Sequence, residues 1–352
     1  MDQSSYLELR KQLPLLRQSS GSRVRFGKIG ILSNIVVNQL REILEYTLLE
    51  NGIQAEEFVF ADYDTIVQSS ATFKDATVVF VFWEVCNLVD GFQYKADFWE
   101  ASKVDDLLEK TCHEVDHVLG NLAQVPIVFF NRFCGEAFCE SAIIETLLDD
   151  CANRLNQHLD QGLPSNVVAV DIRRIVSRVS TAKSYDYRFY YSSKCLYTPD
   201  FFIEYTRQIT SPLLTYGAIA KKALIFDCDN TLWQGVVGED GIDAIQISPP
   251  FQEVQALARA LGQQGVVIGL CSKNNHEDVI EVFRTRDEMI LREEDITTWR
   301  INWQDKASNL CEIAEELNLG IDSFVFVDDS EFECELVRTQ TPEVAVFNRP
   351  KR

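Results

Sequence analysis

Lys222-Ala-Leu-Ile-Phe-Asp-Cys-Asp-Asn-Thr-Leu-Trp233 is an apolar run that ends in two aspartates one residue apart, followed by a threonine. Ala223 to Phe226 has the composition of a buried parallel strand, and open α/β sheets bind ligands beyond the carboxyl ends of such strands. Asp227 and Asp229 therefore stand at a binding edge. Side chains alternate along an extended chain, so both carboxylates are expected on one side and Cys228 on the other. Two close anions call for a cation, and Mg²⁺ takes few protein carboxylates while keeping water or phosphate oxygens around it. The pattern predicts a phosphate-handling site, although Asp-Cys-Asp-Asn alone would also suit a helix cap or a turn.

Three further segments decide between those readings. Val266-Val-Ile-Gly-Leu-Cys271 is a second apolar strand that delivers Ser272 to its end, where a hydroxyl and the N–H groups of a helix beginning near Asn275 can bind phosphate oxygens. Lys306 lies just inside an amphipathic helix expected from about Gln304 to Leu319, placed to neutralise both phosphate and an attacking carboxylate. Phe324-Val-Phe-Val327 is a third strand, ending in Asp328 and Asp329.

The order Asp-x-Asp-x-Thr, Ser, Lys, Asp-Asp over Lys222 to Asn348 resembles the haloacid dehalogenase (HAD) superfamily, with all four of its motifs present. Asp227-Cys-Asp-Asn-Thr-Leu-Trp-Gln-Gly-Val-Val-Gly-Glu-Asp-Gly241, Cys271-Ser-Lys-Asn-Asn275 and Val327-Asp-Asp-Ser330 are similar to its subfamily IIIC, the FkbH-like proteins. The resemblance implies that Asp227 is the nucleophile that accepts phosphoryl. It implies that Asp229 is a general acid and base whose main-chain carbonyl also ligates Mg²⁺. Thr231 and Ser272, with the adjoining Lys273 and Asn274, would contact phosphate; Lys306 would stabilise charge; Asp328 would ligate Mg²⁺. Asp329 is the neighbouring acid, either a ligand itself or a neighbour of one. FkbH-like proteins are associated with forming glyceryl thioesters on acyl carrier proteins from 1,3-bisphosphoglycerate for polyketide-type biosynthesis. That reaction can use a thiolate as acyl relay, and Cys228 is the candidate, against which stands the effect of flanking carboxylates on a thiolate.

The chain has 352 residues, enough for two domains, and 46% hydrophobic residues, which supports sizeable cores. No run of about 18 apolar residues occurs and the amino-terminal stretch lacks the basic and apolar regions of a signal peptide, so a cytoplasmic protein without membrane attachment is expected. Ten cysteines lie scattered without metal-ligand spacing, Cys134 and Cys139 being the closest pair, and they read as reduced thiols. A formal net charge of −21 disfavours nonspecific binding to nucleic acid. An anionic substrate or acidic carrier would then need a local basic patch, for which Lys221, Lys222, Lys273, Arg284 and Arg286 are candidates.

Upstream, strands at Lys28 to Leu32, Thr77 to Trp83, Val125 to Phe130 and Val167 to Val170 alternate with helices at Val37 to Gly52, Leu107 to Leu122 and Ala142 to Leu159. The alternation predicts an α/β fold class, a parallel sheet with helices on both faces; the family resemblance implies an amino-terminal three-layer domain of flavodoxin or SGNH-hydrolase type and a HAD domain without a large cap. The boundaries are residues 1–25 for a helix and linker, 26–190 for the first domain, 191–221 for a connecting helix opened by Pro199, and 222–352 for the HAD domain. Phe201, Phe202 and Tyr205 of that helix are expected to pack between domains. Ser33 would take the place of an SGNH nucleophile, but the local Ile31-Leu-Ser-Asn34 is not a Gly-Asp-Ser block and no Asp-x-x-His pair follows, so this domain is read as noncatalytic. Between Asp229 and Ser272 there is room for a small flap around Gly235 to Gly241 and one helix from about Phe251 to Leu261, leaving the site uncapped. Three functional readings follow: a glyceryl transferase and phosphatase acting on a carrier protein, a Mg²⁺-dependent phosphatase of a small phosphorylated metabolite, and a binding module that keeps the site for recognition.

Overall fold

Val78-Val-Phe-Val-Phe82 carries no polar side chain and is buried throughout, as a strand covered on both faces requires. It is the middle strand of the first of two parallel sheets. The computed structural model describes residues 6–19, 23–138 and 146–349, and the chain divides into two units, Met1–Ala218 and Ile219–Arg352.

In the first unit, β1 (Val24–Ser33), β2 (Ile53–Phe60), β3 (Val78–Phe82), β4 (Ile127–Asn131) and β5 (Val167–Val170) pair in parallel in the order β2-β1-β3-β4-β5. Alternation along β3 sorts its residues between the two faces. Val79 and Val81 join a core with Val104 and Leu108 of helix Ala101–Asn121 and Leu155 of helix Leu147–Gln161. Phe80 and Phe82 instead meet Tyr205 at ring-centroid distances of 6.4 and 5.1 Å, and Phe82 meets Phe202 at 6.1 Å. Helix Pro199–Tyr216, expected as a connector, is therefore part of the first unit, and its aromatic residues cover that unit's own sheet. Pro199 occupies its first turn and the Thr198 side chain accepts from Phe201 N–H, so the cap and the fixed proline φ start the helix there.

Helix Ala101–Asn121 begins earlier than apolar spacing alone suggests. Helix Leu147–Gln161 opens on a Thr146–Asp149 capping box, while the expected start at Ala142, like Cys139, lies outside the described residues. Strand β2 was not expected, because Ile53-Gln-Ala-Glu-Glu-Phe-Val-Phe60 is an edge strand whose exposed glutamates break the apolar run.

In the second unit, β6 (Ala223–Phe226), β7 (Val267–Ser272), β8 (Thr298–Ile301), β9 (Phe324–Asp328) and β10 (Ala345–Asn348) pair in parallel in the order β10-β9-β6-β7-β8. The two short edge strands β8 and β10 carry polar residues and escaped the sequence reading for the same reason as β2. Ala223 and Ile225 face one core, with Leu310 and Ile313 of helix Lys306–Leu317; Phe226 and Cys228 face the other, with Leu270, Val279 and Trp233. Alternation thus sends Asp227 toward the helix that begins with Lys306 and Cys228 away from it. Among the described residues no helix is long and apolar enough to cross a membrane.

Candidate active site

The carboxyl ends of β6, β7 and β9 bring the sequence motifs together. Asp227 follows β6, Ser272 ends β7, and Asp328 ends β9 between main-chain partners. Lys306 is the first residue of its helix because Asp305 caps it, accepting from Ser308 N–H at 2.8 Å. Its Nζ donates to Asp227 Oδ1 at 2.7 Å and to Asp328 Oδ2 at 2.6 Å, in a pocket where the three side chains are at most 7% exposed. Asp328 is further fixed by Ser330 N–H, which donates to its Oδ1 at 2.7 Å.

Burial is the largest influence on Asp227 and pushes its pKa up; the Lys306 ammonium opposes this and the Asp328 charge adds to it. For Lys306, burial works against the charged form, yet the two carboxylates outweigh it and its pKa is raised. The ammonium is therefore held as a permanent counter-charge. Asp227, Asp328 and Asp329 each offer a carboxylate oxygen within 4.8 Å of the others, a set of hard oxygen donors that suits Mg²⁺.

The Asp229 carboxylate is not in that group. The strand ends at Phe226, Asn230 adopts φ 55°, and the Asp229 side chain is held by Trp233 Nε1, which donates to Oδ1 at 2.9 Å, by Val237 N–H to Oδ1 at 3.1 Å, and by Asn274 Nδ2 to Oδ2 at 2.9 Å. Strand alternation therefore does not extend to this residue. The flap is a tight turn and one short helix, Val237–Asp240, tied back where Gln234 pairs with Gln246. Gly235, at φ 106°, allows that turn.

Ser272 is buried beside Asp227, whose carboxylate its hydroxyl helps to hold down, and it also accepts from Asn274 Nδ2 at 3.2 Å. Asn274, expected on phosphate, thus bridges Asp229 and Ser272. The Thr231 hydroxyl is wholly buried and has no hydrogen-bond partner among the described residues. Lys273 is committed to Glu333 at 2.7 Å.

The expected basic patch is not assembled. Lys221 and Lys222 precede β6 and so stand at the opposite edge of the sheet, Arg284 pairs with Glu293 at 2.7 Å, and Arg286 with Glu288 at 3.1 Å.

The position of Cys228 speaks against the relay role. The thiol is 0% exposed, in the apolar core with Leu232 and Trp233, and burial first, then the Asp227 charge, raises its pKa well above the ordinary range. Burial likewise pushes Cys271 up to about 12. In the first unit the Ser33 hydroxyl is consumed locally, donating to Ile35 O at 2.7 Å and accepting from Ile35 N–H at 3.1 Å. The histidines of that unit lie on helices Ala101–Asn121 and Leu147–Gln161, with His158 against Asp116 and His117 against Asn121.

Two contributors had no assigned role from sequence. Trp233 lies four residues after Asp229, a spacing that could have suggested the contact. Arg349 gave no signal: it donates to the carbonyls of Asn230, at 3.2 Å, and Thr231, at 2.7 Å, from more than a hundred residues away, and its guanidinium lies 3.8 Å from the Phe251 ring centroid.

No protein-family profile and no curated protein sequence matches the chain. Among solved structures, it is similar to the N-terminal part of the protein BF1531 from Bacteroides fragilis, described as containing a phosphatase domain and complexed with Mg. The two share 22% identity with a TM-score of 0.80, over 97% of this chain and 94% of that one. A HAD family enzyme from Bacteroides thetaiotaomicron, a magnesium complex, aligns with 37% of this chain at 13% identity and a TM-score of only 0.28. The first likeness shows that this chain shares the fold of the BF1531 fragment along nearly its whole length.

Proposed function

We propose that the second unit is a Mg²⁺-dependent phosphatase of the haloacid dehalogenase type that works through an aspartyl phosphate on Asp227. The observation that carries this reading is the convergence of Asp227, Asp328 and Asp329 at the carboxyl edge of a parallel sheet, with the first two joined by the buried Lys306 ammonium. Mg²⁺ fits the all-oxygen donor set of Asp227, Asp328 and Asp329, and when bound it would neutralise charge on the phosphate. The BF1531 fragment, with its phosphatase domain and Mg, supports the same assignment.

Asp227 attacks phosphorus with the oxygen that Lys306 does not engage, forming a P–O bond as the ester P–O bond breaks. Lys306 holds the attacking carboxylate in place and offsets charge as it develops. Asp229 gives a proton to the departing oxygen and then takes one from the water that hydrolyses the acyl phosphate. Incubation with a ³²P-labelled phosphate ester and Mg²⁺, followed by acid quench and peptide mapping, should place label on Asp227. Turnover with no label there, and an Asp227→Asn variant that keeps more than about a tenth of the rate, would refute the assignment, since loss of a covalent nucleophile costs far more than one 1.36 kcal/mol step.

The FkbH-like motifs extend the proposal to a substrate carried on a protein. In that reading the substrate is 1,3-bisphosphoglycerate and the acceptor the phosphopantetheine thiol of an acyl carrier protein. With Cys228 buried, the carrier thiol itself attacks the acyl carbon: a C–S bond forms, the bond from the acyl carbon to the phosphate oxygen breaks, and inorganic phosphate leaves with the thiol proton passing to it or to water. The remaining phosphate ester then passes through Asp227 to water. Support comes from the motif resemblance and from the short segment between Asp229 and Ser272, which leaves no room for a large cap. Intact-mass analysis of a holo carrier protein incubated with the chain, Mg²⁺ and 1,3-bisphosphoglycerate tests it. Phosphate release without a mass gain on the carrier would leave the alternative, a phosphatase of a small phosphorylated metabolite.

A further inference from the structure

Asp229 is held by partners that treat its two oxygens differently. Oδ1 receives the Trp233 indole N–H at 2.9 Å and the Val237 main-chain N–H at 3.1 Å. An indole N–H and a main-chain N–H only donate, and a carboxylate oxygen has two lone-pair directions, so with both bonds in place Oδ1 has no position for a proton. Oδ2 receives one bond, from Asn274 Nδ2 at 2.9 Å, and keeps one direction open.

Neither side-chain donor is adjustable. Trp233 is 0% exposed and packs edge-on against Phe283 at 6.1 Å, and Asn274 is 4% exposed with its amide also 3.2 Å from the Ser272 hydroxyl. The same amide therefore ties Oδ2 to the serine that lies beside the nucleophile.

We propose that Trp233 and Asn274 are positioning residues that make Asp229 Oδ1 a fixed anchor and Oδ2 the atom that exchanges protons with the substrate. This rests on the phosphatase reading above and assigns within it which atom acts and what aims it. As Asp227 forms its bond to phosphorus and the ester P–O bond breaks, the proton leaves Oδ2 for the departing oxygen and Asp229 is left as carboxylate. On hydrolysis of the acyl phosphate, Oδ2 takes a proton from water and the cycle closes.

The consequence is a dependence on the leaving group. A p-nitrophenolate departs without protonation, whereas an alkoxide requires it. The value of kcat/KM reports phosphoryl transfer to Asp227, the step in which the proton is given. We would compare wild type, Trp233→Phe and Asn274→Ala on p-nitrophenyl phosphate and on an alkyl phosphate in Mg²⁺, with active sites counted by the burst of p-nitrophenolate and folding checked by circular dichroism.

The expected result is a loss on the alkyl ester at least about tenfold greater than on the aryl ester, a fraction of the 10²–10⁴ that general acid catalysis supplies. Asn274→Ala reads the same ratio if Trp233→Phe does not fold. Equal losses on the two esters, or no loss on either, in a folded variant overturn the inference and leave the phosphatase reading standing. A wild-type chain that hydrolyses neither ester in Mg²⁺ overturns both.

Discussion

Replacing Lys306 by methionine keeps the aliphatic stem and removes the one ammonium that stands between the Asp227 and Asp328 carboxylates, at 2.7 and 2.6 Å. Their oxygens lie within 4.8 Å of each other, so at an effective dielectric of about 20 the bare repulsion is at least about 3.5 kcal/mol. That agrees with the roughly 3–5 kcal/mol lost when one partner of a buried ion pair is removed. Burial lifts folded Asp227 to about 7, so urea denaturation without Mg²⁺ should show the second unit destabilised by this amount only on the alkaline side of pH 7. The loss should shrink in acid: burial already raises the folded pKa of Asp227 above its unfolded value of 3.8, and removing Lys306 raises it further. A raised folded pKa costs nothing below the unfolded value and most above the folded one, so the deficit should be small near pH 4 and full above the shifted value. Mg²⁺ should restore more stability to the variant than to wild type, because the cation replaces the missing charge. A deficit below about 1 kcal/mol at pH 9, or one that does not change between pH 4 and pH 9, would refute the claim that Lys306 neutralises this pair.

Asp328→Asn should raise the Mg²⁺ concentration needed for half-maximal phosphatase activity, read by titrating the metal at fixed substrate, because it removes one carboxylate of the three. Cys228→Ala should leave phosphate release and any carrier loading nearly unchanged and cost roughly 1–2 kcal/mol in denaturation, as expected for trimming a small buried group. In the first unit, burial raises Glu84 to about 7 from 4.5, opposed by the Tyr197 hydroxyl that donates to it at 2.8 Å. Its folded pKa lies above its unfolded one, so its contribution is fully present below pH 4.5 and is lost as pH rises to 7, by about 3 kcal/mol at 1.36 kcal/mol per unit. Glu84→Gln should flatten that slope in denaturation curves taken from pH 4 to 8.

The central strands were legible because parallel strands covered on both faces must be apolar without interruption: Val78–Phe82, Ala223–Phe226 and Phe324–Val327 declare themselves. The placement of the residues at their ends was legible for the same reason, since Asp227, Ser272 and Asp328 each stand at the end of such a run. Edge strands β2, β8 and β10 were not, because one free edge removes the demand for apolar residues and with it the periodic signal.

Local sequence thus determined which residues would reach the carboxyl edge, and their order along the chain. Tertiary structure alone decided their partners. It placed helix Pro199–Tyr216 on the first sheet, sealed Cys228 in the core, and turned Asp229 from the other carboxylates toward Trp233 and Asn274. The physical reason is range: propensity and alternation act over a few residues, whereas each of those outcomes depends on a contact or burial fixed only when distant segments pack. Arg349 on the carbonyls of Asn230 and Thr231 is the extreme case, the turn after β6 braced by a residue more than a hundred positions away.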